Sequence, residues 1–296
     1  MPQSNTLRRR LSKPPIVIAP GIYDPLTALI ATQAGFHSLY ISGAAIAYTR
    51  LGRPDIGLVS VTEVIETVSL IHDRVDAHLI VDADTGYGNA LNVERTVRLL
   101  EKAGAEAIQL EDQSFPKRCG HLDGKTLIPA GEMVGKIKAA VDSRRSIDTL
   151  IIARTDAVAV EGLPSAIERA VLYRDAGADL LFVEAPKAHK DLAVIAGQVG
   201  RTLPLVANMV EGGKTPMLSG PELEALGFSL VIFPGGIVRA LAKTATEYYA
   251  SLFSHGSTQP FQDRMFDFNE LNRLIGTPEM IERGSRLGTG EPEKNQ

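Results

Sequence analysis

Short runs rich in Val, Ile and Leu recur along the chain, each ending in small or polar residues and each followed by a longer segment of helical period. An apolar run of that length is a strand buried on both faces, and the helical segments between such strands are the crossovers that parallel pairing requires. The runs are Ile16 to Pro20, Ser38 to Gly43, His78 to Asp84, Ala107 to Asp112, Thr149 to Asp156, Leu180 to Ala185, Pro204 to Met209 and Leu230 to Gly235. Ala34-Gly35-Phe36, Ala103-Gly104-Ala105, Ala176-Gly177-Ala178 and Leu226-Gly227-Phe228 each precede one of them, with a glycine suited to end a helix in the left-handed conformation. Eight consecutive units of this kind close into a single (β/α)8 TIM-type barrel more naturally than into an open doubly wound sheet, which is the alternative. A chain of 296 residues, 44% of them hydrophobic, supports one such barrel domain over 1–296.

Two stretches exceed the bare repeat. The segment at about 113–129 contains Pro116, Gly120, Gly124 and Pro129 and reads as a lid over the fourth strand. After the eighth unit a helical extension at about 255–288 carries Phe261, Met265, Phe268, Leu271 and Leu274 at helical spacing, a face expected to pack on another subunit, and the polar tail beyond Gly288 is expected to fray. The net charge of -4 gives no reason to expect nucleic acid or an anionic membrane as partner, so any anion site must be built locally. There is no apolar run of about 20 residues that would span a membrane. Cys119 is the only cysteine, which excludes an intrachain disulfide and makes the cytoplasm the default compartment. Leu7-Arg-Arg-Arg-Leu11 is followed by an apolar run too short for a signal peptide, although the absence of acid before Asp24 leaves an organelle-targeting reading open.

In a barrel of this type the chemistry sits at the C-terminal ends of the strands. Those ends supply Tyr40, Ser42 and Gly43, then Asp82, Asp84, Glu111, Asp112, Arg154, Asp156, Glu184 and Asn208. Residues i and i+2 of a strand point the same way, so Asp82 and Asp84 are expected to face the mouth together, with Glu111 arriving from the adjacent strand. Crowded carboxylates repel one another, and a divalent cation relieves the repulsion. Donors that are all oxygen suit Mg2+, with Mn2+ as a substitute. The plainer alternative is that these aspartates cap helices or pair with Lys and Arg. Arg154 can hold a carboxylate bidentately, and Asn208 with the backbone amides of Ser42 to Ala44 could complete a carboxylate pocket. Gly86 and Gly88 form no dinucleotide fingerprint.

Within the lid, Lys117-Arg118-Cys119-Gly120-His121 places two cations and an imidazole around a thiol, a pattern that favours the thiolate and sets proton-transfer partners beside it. The plainer alternatives are a buried small hydrophobe at Cys119 and a solvated loop histidine at His121.

Together Tyr40-Ile-Ser-Gly43, Gly52-Arg-Pro-Asp55, Asp82-Ala-Asp-Thr-Gly-Tyr-Gly88, Gln109-Leu-Glu-Asp112, Pro116-Lys-Arg-Cys-Gly-His121, Arg154-Thr-Asp156, Val183-Glu184 and the run from Asn208 to Pro216 resemble the isocitrate lyase and phosphoenolpyruvate mutase superfamily. The resemblance runs in order from about residue 16 to 250, and the lid is similar to that of the carbon-carbon lyases, such as methylisocitrate lyase, 2,3-dimethylmalate lyase and petal death protein. It implies Mg2+ on Asp82 and Asp84, with Asp55 and Glu111 acting through bound waters. It implies substrate carboxylate contacts from Ser42, Gly43, Ala44, Arg154 and Asn208, with Glu184 lining the site and Cys119 as general acid. It also implies a homotetramer whose paired subunits exchange a C-terminal helix. Ala44 and Gly235-Gly236 depart from the pattern common in relatives, which bears on substrate identity rather than reaction type. The expected reaction is a retro-aldol cleavage of a substituted malate, with Tyr40 or a carboxylate-held water as base. Decarboxylation or hydrolysis of oxaloacetate is the alternative, and carbon-phosphorus chemistry stands third.

Overall fold

The computed structural model describes residues 6–289. Its strands are β1 (Val17–Ile22), β2 (Ser38–Ile41), β3 (His78–Asp82), β4 (Ala107–Glu111), β5 (Leu150–Thr155), β6 (Leu180–Val183), β7 (Leu205–Asn208) and β8 (Leu230–Phe233). They pair in parallel in sequence order, and β8 closes on β1. Every apolar run became a strand, as the recurrence required, but most strands stop one or two residues early at the polar end. At β3 and β6 the reason is visible in the backbone, because Asp84 and Ala185 adopt φ of 47° and 58°, a left-handed turn that no strand contains.

Register then decides which side chains meet above the barrel. Asp82 pairs with Gln109, Glu111 with Arg154, and Gly21 with Tyr40. Gly21 has no alternative there, since a Cβ would fall 2.3 Å from the carbonyl oxygen of Pro234.

Alternate strand residues fill the barrel interior, among them Val17, Ile80, Leu150, Ile152, Leu180, Phe182, Val206 and Ile232. The same cluster takes in Leu7 and Leu11 from a short helix, Leu7–Leu11, capped by Thr6. The basic N-terminal stretch is therefore part of the packed fold, and Arg8 pairs with Asp179 at 2.8 Å. Burying a leucine contributes about 1.5–3 kcal/mol.

The chain packs as two compact units that divide between Val238 and Arg239. The second unit contains most of the helix Gly236–His255, a tight turn Gln259–Arg264, and the helices Phe268–Ile275 and Thr277–Thr289. The single helix expected from Phe261 to Leu274 is thus broken. Asp267 starts a new helix, its side chain accepting from the amide of Glu270 while the Glu270 carboxylate accepts from the amide of Asp267. Phe261 is buried against the ring of Tyr248 and under the guanidinium of Arg264. Phe253 and Phe268, by contrast, are 92% and 82% exposed. The last helix runs to Thr289, and the remainder of the tail lies outside the described residues. No helix among the described residues is long and apolar enough to cross a membrane.

Candidate active site

The carboxylate cluster forms where β3 ends. The left-handed turn takes Asp84 off the strand, so the i, i+2 argument does not apply to it, yet the turn still brings the two aspartates together. A Cβ on Gly43 would lie 3.3 Å from Asp82 Oδ2 and 3.4 Å from Asp84 Oδ1, so a glycine there keeps the space beside both carboxylates open. Lys117 enters from the lid, its Nζ 2.5 Å from Asp55 Oδ1 and 2.6 Å from Asp84 Oδ1. Burial would lower the lysine's pKa, but Asp84 and Asp55 hold it well above the usual range. Burial, with the charges of Asp82 and Asp55 nearby, pushes Asp84 up to about 7 against the pull of Lys117. Burial also raises Glu111 well above the carboxylate range.

This donor set fits a hard divalent cation. It is all oxygen, it is crowded, and Glu111 Oε1 is buried without a hydrogen bond. Among the described residues no three His, Cys, Asp or Glu side chains converge on one point, so the Asp82 and Asp84 pair is the direct ligation on offer.

Tyr40 and Gln109 brace this cluster from beneath. The Tyr40 hydroxyl donates to Gln109 Oε1 at 2.9 Å, and Gln109 Nε2 donates to Asp82 Oδ1 at 3.1 Å. Burial and the Asp82 charge raise the Tyr40 phenol well above its ordinary value. The phenol is thus a hydrogen-bond donor to Gln109.

The other half of the site is built on β5 to β7. Arg154 lies over the Phe182 ring, 5.1 Å from the centroid, and grips Asp156 with Nε at 2.9 Å and Nη2 at 3.1 Å. One edge of its fork is therefore already occupied, and only the outer edge remains for a substrate carboxylate. Its Nη1 lies 3.4 Å from Glu184 Oε2, which accepts from Asn208 Nδ2 at 2.9 Å and leaves Asn208 Oδ1 unpartnered. Glu184 Oε1 accepts from the amide of Ala185 at 2.7 Å. Beneath, Asp112 accepts from Thr155 Oγ1, Tyr173 Oη and the amide of Asp156. On the β2 side the Ser42 amide donates to Ile22 O and its Oγ caps Ala45, so Gly43 and Ala44 are the first-turn amides left for an anion.

The lid closes over both halves. The Cys119 amide donates to Asp55 O, and Gly120 packs so tightly that a Cβ would fall 2.4 Å from Arg154 Nη2 and 2.8 Å from Glu184 Cγ. Only glycine fits there. The cations adjacent to Cys119 in sequence do not surround its thiol, because Lys117 serves the aspartates and Arg118 donates to Asp123 O. Burial pushes the thiol's pKa up, so it is a protonated thiol rather than the thiolate that sequence adjacency suggested. His121 Nδ1 accepts from the Lys214 amide at 3.0 Å, burial lowers its pKa, and its Nε2 lies 3.4 Å from Glu184 Oε1.

The structure thus gathers Tyr40, Asp55, Asp82, Asp84, Glu111 and Lys117 on one side and Cys119, His121, Arg154, Glu184 and Asn208 on the other, with Ser42, Gly43 and Ala44 beside the aspartates. Sequence reasoning passed over Gln109, Lys125 and Thr215. Gln109 was legible, two residues before Glu111 on the same strand face. Thr215 is buried with its hydroxyl unpartnered, and nothing in its sequence surroundings announced that.

Residues 7–253 match the family described as phosphoenolpyruvate phosphomutase. The 2,3-dimethylmalate lyase of Eubacterium barkeri is 41% identical over 286 residues, covering 96% of this chain and 98% of that protein. A 2-methylisocitrate lyase of Aeropyrum pernix is 46% identical over 281 residues, covering 95% and 90%. Among solved structures, oxaloacetate acetylhydrolase in complex with 3,3-difluorooxalacetate superposes with a TM-score of 0.89 at 32% identity, covering 98% of this chain and 97% of that one. The chain belongs to the phosphoenolpyruvate mutase/isocitrate lyase superfamily, as the barrel and the motif order had indicated. It is an enzyme, and within that superfamily it falls with the lyases.

Proposed function

We propose that the protein is a Mg2+-dependent carbon-carbon lyase that cleaves a substituted malate, of the 2,3-dimethylmalate or methylisocitrate class, into a 2-oxo acid such as pyruvate and a second carboxylic acid. The observation that carries this reading is the half-buried thiol of Cys119, its pKa raised by burial, beside Gly120, which packs against Arg154 and Glu184 in a site that also holds the Asp82 and Asp84 pair. Asp82 and Asp84, with Asp55 and Glu111 nearby, would hold Mg2+ or Mn2+, which would supply the Lewis acidity that eases loss of the substrate's hydroxyl proton.

The protein's own residues do the rest. The outer edge of Arg154, the amides of Gly43 and Ala44, and Asn208 fix the substrate's carboxylates. A water held by the carboxylates removes the C2 hydroxyl proton. The C2 to C3 bond breaks, its electrons pass into the carboxylate on C3, and the Cys119 thiol gives its proton to C3. The proton removed from the hydroxyl balances the one the thiol delivered. The packed lid keeps bulk water from the carbanion.

The likeness to oxaloacetate acetylhydrolase supports a second reading, hydrolysis of oxaloacetate, with decarboxylation of it alongside. Decarboxylation has no need of a dedicated acid of the Cys119 kind. Carbon-phosphorus chemistry, suggested by the family description, is disfavoured on the same ground.

The exposed Tyr249, Phe253, Phe266, Phe268, Met280 and Ile281 support a homotetramer in which a second copy covers this apolar surface by exchange of the C-terminal helix. The free thiol of Cys119 supports a cytoplasmic setting. The test of function is incubation with Mg2+ and a panel of dimethylmalate, methylisocitrate, isocitrate, other alkylmalates and oxaloacetate. Pyruvate released from an alkylmalate is the expected result, and turnover of oxaloacetate alone would overturn it.

A further inference from the structure

Lys125 lies in the second half of the lid, and its side chain is only 1% exposed. Its Nζ donates to Asp156 Oδ1 at 2.7 Å and to the carbonyl of Gly120, the residue next to Cys119. Asp156 is itself fully buried and is the carboxylate that grips Arg154, while its amide is fixed by Asp112 at 2.9 Å. One carboxylate therefore orients the substrate-facing guanidinium and anchors the lid. The lid's other ion pair beyond Cys119, Lys214 with Asp123 at 2.5 Å, is of a different kind, because the Asp123 side chain is almost wholly exposed to solvent. Exposed pairs of that sort contribute little, whereas a buried ammonium detached from its partner is costly to leave in the interior.

We propose that Lys125 is the latch of the lid and a positioning residue for Cys119. Its ammonium has two stable places, docked on Asp156 with Gly120 drawn down over Arg154, or out in water with the lid raised. Asp156 serves two cations at once, so a substrate carboxylate arriving on the outer edge of Arg154 adds negative charge beside them and favours the docked state. Closure is in this way coupled to occupancy of the carboxylate pocket. That coupling rests on the carboxylate substrate proposed above, while the latch itself does not.

Cys119 is the only thiol in the chain, so its rate of alkylation by iodoacetamide reads the lid directly. Lys125→Met is expected to raise that rate about tenfold or more with native circular dichroism, since the open lid then predominates. Asp123→Ala should change it less than about twofold, as befits an exposed pair. In turnover, Lys125→Met should lower kcat by up to about a hundredfold, the scale of an ångström's misplacement of a reacting group. If Lys125→Met does not fold, Lys125→Gln removes the charge while keeping a donor for Gly120 and is expected to shift alkylation in the same direction. A folded Lys125 variant alkylated at the wild-type rate overturns the latch. Faster alkylation in a protein whose wild type turns over none of the panel acids leaves the latch standing and removes the lyase reading instead.

Discussion

At the N-terminal end of the barrel, Leu7 and Leu11 cover an interior of aliphatic side chains, and the charges nearby are paired, as in Asp179 between Arg8 and Arg144. At the C-terminal end, Asp55, Asp82, Asp84, Glu111 and Glu184 crowd around Lys117 and Arg154, and Glu111 Oε1 is buried there without a hydrogen bond. Both ends belong to the same eight strands. The difference shows that the lower end is arranged for stability, while the upper end tolerates strain and repulsion in exchange for a place where a cation and carboxylates can be received.

That contrast can be broken by substitutions that move activity and stability separately. The largest effect is expected from Cys119→Ser, which should lower turnover about 10²- to 10⁴-fold, the range for loss of a positioned proton donor, with the denaturation midpoint unchanged. Steady-state kinetics beside a thermal melt would show it, and full activity at saturating Mg2+ would remove Cys119 as the acid. Leu7→Ala should do the reverse. Loss of a wholly buried leucine costs about 2–5 kcal/mol, read as a lowered midpoint in denaturant, while kcat per folded molecule stays at the wild-type value.

The smallest expected effect is on pH dependence at the upper end. Burial opposes ionisation of Asp156, yet Arg154 and Lys125 bring it down to about 2 from an ordinary 3.8. A depressed folded value means that its contribution is complete above about pH 4 and is lost as the pH falls through 2. The gap in melting temperature between wild type and Asp156→Asn should therefore narrow from pH 4 to pH 2. A gap that stays constant would mean the ion pairs do not set the acid limit.

Most of the fold was legible because a parallel barrel writes itself as apolar runs at intervals, and the eight runs need no information beyond themselves. Failures began where long-range packing decides. Asp84 looked like a strand residue until the chain had to turn left-handed to seat it. The thiolate reading of Cys119 treated Lys117 and Arg118 as neighbours of the thiol because they adjoin it in sequence, but an extended lid sends successive side chains to different partners. Lys125 looks in sequence like any surface lysine, and only the folded lid shows it buried on Asp156. The break at Asp267 is a different kind of miss. Asp267 and Glu270 form a capping pair that sequence alone could have flagged, overlooked in favour of the apolar spacing across it.

The central claim is that the C2 to C3 bond of a substituted malate breaks and that the carbon left behind is protonated by a group in exchange with solvent. Proton NMR of 2,3-dimethylmalate incubated in D2O with the enzyme and Mg2+ tests this in one experiment. The account requires pyruvate and propionate in equal amounts, with one deuterium at the propionate carbon next to its carboxylate. Absence of both products from dimethylmalate and from every other alkylmalate, with oxaloacetate consumed under the same conditions, would contradict it.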